Sequence, residues 1–323
     1  MHRVALARLA AAVPLLFGVS IVSFVLLHLA PGSFFDRFLL DPSIPRETVE
    51  LMESRYGLNR PWYQQYFSWL VGLLKGDLGF SLIFQRPVAH LLGESALYTF
   101  ALAVSAGVMA FLGGLVSSFL VALRPGGATD RALSGLAILV ASIPTLVVAV
   151  GALGLAAATG GVPLGGGSSV GLVGVSLSTR LLDFSHHLLL PSLVLSLTLA
   201  PLFYLQSRGA LMEILPSEFA QAARSRGLSR AQVLFKHCLP AAMVPALTFA
   251  GSSVGRLLNG AFLVEVVMGW PGMGRLAWSA LLARDSFLIL GVLLVAAAMM
   301  ILGNLVADIA IAAADPRIRL EER

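Results

Sequence analysis

Six segments, at roughly residues 9–30, 96–122, 132–158, 186–207, 240–263 and 286–312, are each long and apolar enough to cross a lipid bilayer. A hydrocarbon core about 30 Å thick is spanned by about 20 helical residues, and no water is present there to satisfy a stray backbone amide. A chain organised around six such segments is an all-α integral membrane protein. Composition agrees, with 57% hydrophobic residues and only 12% charged, where soluble domains carry roughly 25% charged residues. The first segment follows Arg3 and Arg8 as a signal peptide would, but its apolar run exceeds a signal-peptide core. It reads as a retained span, with Met1 as the start of the mature chain.

Orientation follows from the basic residues. With both termini cytoplasmic, the short inner segments carry Arg3, Arg8, Arg124, Arg131, Arg208, Arg224, Arg226, Arg230, Lys236, Arg317, Arg319 and Arg323. The short outer loops carry only Arg180, Arg275 and Arg284, as the positive-inside rule requires. The net charge of +5 and pI near 9.9 thus follow topology and give no patch for nucleic acid. The uncharged stretch between Arg131 and Arg180 has room for a seventh span. Gly160, Gly161, Pro163 and Gly165 to Gly167 interrupt it, so residues 159–185 are expected to form an outer loop. The lone Cys238 excludes an internal disulfide and any multi-cysteine metal cluster.

Residues 31–95 are too polar to span and are expected to form an extracytoplasmic segment that lids the outer mouth. Asn59 and Pro61 sit where a helix cap and first turn belong, and Trp62, Tyr66, Trp69 and Leu73 follow at helical spacing. The expectation is an amphipathic interfacial helix, serving either as an aromatic anchor in lipid headgroups or as a docking surface for an external partner.

The polar segment 209–239 is far longer than the turn at 123–131 and is expected to form a cytoplasmic coupling loop. Pro216 and Ser217 start a helix, Glu218 places a negative charge in its first turn, and Gly227 ends it. A second helix from about Ser229 leads to Leu239 and Pro240. Ala222 and Ala223 permit close approach by another protein, while Arg224 and Arg226 offer guanidinium donors to a partner's carboxylates or backbone. A solvated connector whose arginines merely hold the loop inside is the plainer alternative.

The spacing of Ala222, Ala223, Gly227, Leu239 and Pro240 resembles the EAA loop of binding-protein-dependent ABC importer permeases. Gln221 stands where that family has Glu, and His237 where it has an apolar residue. Further segments resemble the oligopeptide, dipeptide and nickel branch: LLHLAPGS (26–33), YGLNRPWYQQY (56–66), GDLGFS (76–81), WPGMGRL (270–276), ARDS (283–286) and NLVADIAIAAADPRIRL (304–320). The resemblance implies that Glu218, Gln221, Ala222, Ala223, Arg224, Gly227 and Leu228 form a coupling helix seated on an ATPase. It further implies a second permease subunit, two cytoplasmic ATPases or one fused ATPase, an external substrate-binding protein, and a location in the bacterial inner membrane.

No P-loop is present, since Lys75 is followed by Gly and Lys236 by His. Any ATP and Mg therefore belong to partner subunits, and this chain itself is expected to hold no cofactor, metal or catalytic residue. The Gly251 to Gly255 stretch fits a nucleophile-elbow pattern but lies inside an expected span, where small residues serve helix approach. His186 and His187 are adjacent, about 100° apart on a helix, and cannot chelate one metal together. Arg256 and Asn259 share a face of the fifth span, and Asn304 and Asp308 a face of the sixth. Polar groups at membrane depth face a cavity or a partner helix, and Arg256 with Asn259 are the candidates for the translocation path. The expected function is peptide import driven by separate ATPases, with nickel or other small-solute import and ion-driven secondary transport as alternatives. Secondary transport is disfavoured because the expected spans hold a single carboxylate, Asp308.

Overall fold

The structure is a computed structural model that describes residues 2–39, 44–169, 171 and 174–314. Arg317, Arg319 and Arg323, with the end of the last motif, lie outside them, as do the side chains of Arg3 and Arg8. In chain order the helices are α1 (His2–Leu29), α2 (Asp36–Leu39), α3 (Arg46–Arg55), α4 (Trp62–Leu74), α5 (Val88–Ala122), α6 (Ala128–Ala141), α7 (Thr145–Thr159) and α8 (Leu177–Ile214). They continue with α9 (Glu218–Ser225), α10 (Arg230–Val233), a π-turn (Leu234–Cys238), α11 (Leu239–Ser252), α12 (Val254–Val267), α13 (Met273–Ala283) and α14 (Ser286–Ala314). A minimal antiparallel hairpin, β1 (Phe80–Ser81) with β2 (Arg86–Pro87), pairs Phe80 with Pro87 ahead of α5.

Five helical segments are long and apolar enough to cross a bilayer, and α6 with α7 supplies a sixth as a pair bent by 99°. The segment expected as one span over 132–158 is therefore two arms. Ile143 precedes Pro144, which disfavours helical backbone at Ile143, and Pro144 itself has no N–H to continue the ladder. The span expected over 240–263 is likewise divided at Ser253. There the hydroxyls of Ser252 and Ser253 donate to the Phe249 carbonyl at 2.9 and 2.7 Å, and the Ser253 amide turns to Ala250 at 3.1 Å. Helix α8 begins at Leu177, inside the expected outer loop, and runs to Ile214, so the first residues of 209–239 are helical too.

Contacts group the chain into two compact units. One comprises Met1–Leu6, Tyr98–Pro271 and Met300–Arg323. Its core joins Leu102, Ala106 and Ala110 of α5 to Leu195, Leu199 and Phe203 of α8 and to Ala261 and Val264 of α12. Small residues set the helix distances. A Cβ on Gly251 would lie 2.8 Å from the Ala307 Cβ, and one on Gly303 would lie 2.7 Å from Val254. The glycines of the 160–176 loop also act as seats, since a Cβ on Gly165 would approach the Met268 carbonyl oxygen to 2.8 Å. Trp270, fully buried, donates its indole N–H to the Tyr98 carbonyl at 3.1 Å and packs edge-on to that ring.

The other unit comprises Ala7–Leu97 and Gly272–Met299. Pro61 caps α4 without a side-chain bond, and Asn59 takes no part in capping. Tyr66 and Trp69 are buried against Phe24 of α1 and Leu290 of α14, and the Tyr66 and Ser20 hydroxyls lie 2.9 Å apart. Neither headgroup anchoring nor partner docking accounts for these two rings, because they serve the unit's own core. Trp62 remains half exposed.

Asp285 of the ARDS motif ties this unit together. Fully buried, it accepts from the Ser81 hydroxyl and Leu82 amide at 2.7 Å, the Ile83 amide at 3.1 Å and, as cap of α14, the Leu288 amide at 3.2 Å. Asp285→Ala is expected to lower stability by about 2 kcal/mol by orphaning these donors, read as a drop in the thermal midpoint of the detergent-solubilised chain.

Candidate coupling surface and membrane-facing polar residues

Helix α9 is short, and its ends are chemically specified. Ser217 caps it by accepting from the Ala220 amide at 3.4 Å while donating to the Ile214 carbonyl at 2.7 Å, and Glu218 follows in the first turn. Gly227 closes it at φ +80, a conformation that favours glycine, with its amide bonded to the Arg224 carbonyl at 2.9 Å. The next helix opens with a complete capping box: Gln232 N–H to Ser229 Oγ at 3.3 Å, and Ser229 N–H to Gln232 Oε1 at 2.9 Å. A π-turn then leads into Pro240, whose ring nitrogen withdraws one donor from the ladder.

The structure separates residues that sequence reasoning grouped. Ala223 is buried, together with Ala220, against Leu211, Leu215, Leu234 and Cys238, and Leu228 packs on the same cluster. Ala222 is exposed, beside exposed Glu218 and Phe219. Of the two alanines assigned to partner approach, only Ala222 is available for it, because adjacent positions of a helix lie about 100° apart. Gln221 and Arg224 also have local work: the Gln221 amide donates to the Pro216 carbonyl at 2.9 Å, and the Arg224 guanidinium to the Leu215 carbonyl at 3.0 Å. They close the last turn of α8, whose terminal carbonyls lack helical partners. Arg226 stays exposed.

Two aromatic residues escaped the sequence reading. Phe219 is 57% exposed with its ring edge-on to His237 at 5.5 Å, and Phe235 is 64% exposed with its ring edge-on to Phe119 at 5.2 Å. Large exposed rings on a polar segment mark a surface that something else covers. The available signal was a Phe inside each polar run, at 219 and at 235.

Arg256 and Asn259 lie on α12, both exposed, with the Arg256 guanidinium 5.2 Å from the centroid of the Phe249 ring. They form a polar face distinct from the α9 surface. Further buried polar groups were not anticipated. Glu265 of α12 is fully buried and accepts from the Thr99 hydroxyl at 2.7 Å, so the polar content of the fifth segment exceeds what a boundary at 263 implied. Asp130, 1% exposed, is clasped by Arg208 through Nε at 2.6 Å and Nη2 at 2.9 Å, and by the Gly126 amide at 2.8 Å. His187 is buried and its Nδ1 lies 2.9 Å from the Asp183 carbonyl oxygen, while His186 Nε2 lies 3.1 Å from the Gly161 carbonyl oxygen, so each ring has its own anchor.

An all-helical membrane fold carrying a short two-faced helix between long apolar segments is the architecture of an ABC importer's transmembrane subunit. The inward-facing MetNI methionine ABC transporter shares the fold, with a TM-score of 0.53 at 20% identity over 70% of this chain and 96% of that one. Residues 110–320 match the binding-protein-dependent transport system inner membrane component family, and residues 1–95 match its N-terminal component; the chain belongs to this family. A permease protein of Brucella ovis is 34% identical over 99% of this chain and its own full length. The oligopeptide transport system permease AppB of Bacillus subtilis is 30% identical, covering 95% of this chain and 96% of AppB. The glutathione transport system permease GsiC of Escherichia coli K12 is 31% identical, covering 97% of each. The chain is accordingly a multi-pass inner-membrane permease subunit of an ABC importer, a transport component and not itself a catalytic enzyme, of a kind that operates with an ATPase and a substrate-binding protein.

Proposed function

We propose that this chain forms half of the translocation path of a peptide importer and receives the ATPase stroke through α9. The observation that carries the coupling role is the division of α9 into two faces. Ala220 and Ala223 root the helix in the chain's own core, so a push on exposed Phe219 and Ala222 moves the ends of α8 and α11 with it. The peptide class rests on the relatives named for oligopeptide and glutathione transport. In this reading both termini are cytoplasmic, and a second permease of the same family completes the path. Two ATPase subunits or one fused ATPase bind ATP and Mg, and an external binding protein delivers substrate. ATP binding closes the ATPases and opens the path outward; hydrolysis returns it to the cytoplasmic side, with Arg256 and Asn259 lining it.

Gentle extraction of the tagged chain followed by mass spectrometry of co-purifying proteins is expected to recover a second permease and a P-loop ATPase. Recovery of the chain alone, still competent in transport, would overturn the proposal. Ala222→Trp adds bulk at an exposed position and is expected to leave membrane insertion intact while lowering ATPase recovery and peptide uptake about tenfold, the effect of losing about 1.4 kcal/mol of interface. Uptake at the unmodified rate would remove α9 from the coupling path.

A further inference from the structure

A cavity of about 210 Å³ lies within the unit built from Ala7–Leu97 and Gly272–Met299, away from both α9 and the Arg256 face. Its walls are largely apolar, with Phe24 of α1, Leu58, Trp69 of α4, and Phe287 and Leu290 of α14 among them. The polar groups are few. Arg60 and Asp77, both exposed, also line it, one cation and one carboxylate. Gln65 is already committed, its amide donating to the Leu58 and Arg60 carbonyls at 3.0 and 2.8 Å. One oxygen of Asp77 accepts from the Gly79 amide at 2.8 Å, which leaves acceptor capacity on the other.

The wall also holds an unmet donor. Trp69 is only 5% exposed, and its indole N–H has no hydrogen-bond partner. A buried donor left unbonded costs about 1–3 kcal/mol, and in native proteins such a group calls for an explanation. A cavity of this size has far more room than the 10–15 Å³ that one water needs, while its apolar walls disfavour filling by water alone.

The outer face of α4 indicates where an occupant comes from. Tyr63, Phe67, Val71 and Leu74 recur at helical spacing and are 49%, 63%, 50% and 81% exposed, on the side opposite Tyr66 and Trp69. Such a stripe is stable in contact with lipid and costly in water. The cavity wall and the lipid-facing stripe are thus two faces of one helix.

We propose that this cavity binds one aminophospholipid of the phosphatidylethanolamine type. Its phosphate accepts from the Trp69 indole and the Arg60 guanidinium, its ammonium pairs with Asp77, and the start of an acyl chain lies along Phe24, Phe287 and Leu290. A headgroup carrying both charges matches the paired cation and carboxylate, and the apolar walls match a ligand with a hydrocarbon part. The site requires only that the chain is membrane-embedded and does not depend on the substrate carried.

The test uses the full chain, purified in detergent and depleted of lipid, with ¹⁵N-labelled indoles; the Trp69 signal is assigned by its loss in Trp69→Phe. Titration with phosphatidylethanolamine is expected to shift the Trp69 indole signal saturably, and phosphatidylglycerol to shift it with at least tenfold weaker affinity. Native mass spectrometry should show one retained phosphatidylethanolamine per chain, bound about tenfold more weakly in Trp69→Phe, as expected for one lost hydrogen bond in a buried site. Arg60→Gln, at an exposed position, should weaken retention similarly without affecting folding. Glycerophosphoethanolamine, the headgroup without chains, is expected to leave the signal unmoved. An equal response to it would reassign the cavity to a water-soluble zwitterion and overturn the lipid proposal. An indole signal indifferent to every lipid, or equal retention by the variants, would overturn it as well.

Discussion

Arg208→Ala is expected to destabilise the chain by about 3 kcal/mol, more than most single surface changes, because it strands a buried carboxylate. Asp130 is 1% exposed, and Arg208 supplies two of its hydrogen bonds, at 2.6 and 2.9 Å. Gly126 and Ser134 contribute at 2.8 and 3.3 Å but bring no positive charge. Arg208 is itself 31% exposed and loses little hydration in pairing, which keeps the expected loss at the lower end of the range for broken buried pairs. The double variant Asp130→Ala/Arg208→Ala removes both charges and should recover much of the loss. Thermal midpoints of the single and double variants in one detergent check this, and a double variant as unstable as Arg208→Ala would show that the pair is not the cause.

The second large effect lies where α5 meets α8. A Cβ on Gly114 would sit 2.6 Å from the Phe203 Cβ, 2.7 Å from the Tyr204 amide nitrogen and 2.9 Å from the Phe203 carbonyl carbon. Two of those three neighbours are backbone, so no rotamer change relieves the overlap and the helices must separate. Gly114→Ala is expected to cost about 3 kcal/mol, at the high end for overpacking, and Gly114→Leu to prevent recovery of monodisperse protein. Gly113 next to it has nothing within 4 Å of its Cβ position. Gly113→Ala is thus expected to be neutral or slightly stabilising through helix propensity. Size-exclusion profiles and thermal midpoints of the pair decide the matter; equal behaviour would mean that the close approach at 114 is not required.

Much of the architecture was legible because a bilayer imposes a length and a hydrophobicity that local sequence must satisfy by itself. The six apolar segments, the polar run at 209–239 and the helix stop at Gly227 were all visible without tertiary information. What was lost depended on partners distant in sequence. Pro144 was read through because twenty-seven apolar residues outweighed one ring, yet that ring bends the segment by 99°. Ala222 and Ala223 looked equivalent until Leu211 and Leu234 were seen to cover only one of them. Gln221 and Arg224 were assigned outward, and both turn back to carbonyls at the end of α8, a choice that charge and polarity alone do not reveal. Glu265 and Asp130 were passed over for the same reason: a buried carboxylate is recognised by its donors, and Thr99 and Arg208 lie on other helices.

Gly227 illustrates a constraint of a different kind from that at Gly114. Its φ is +80 and nothing lies within 4 Å of where a Cβ would be, so the position restricts handedness and leaves size free. The order in which residues replace it should then ignore volume. Asn, which enters left-handed backbone most readily after glycine, should rank above Ala, and β-branched Val below both. Position 227 is a stereochemical filter on the chain's own backbone, and whatever meets α9 from outside meets a bend whose shape was set before contact.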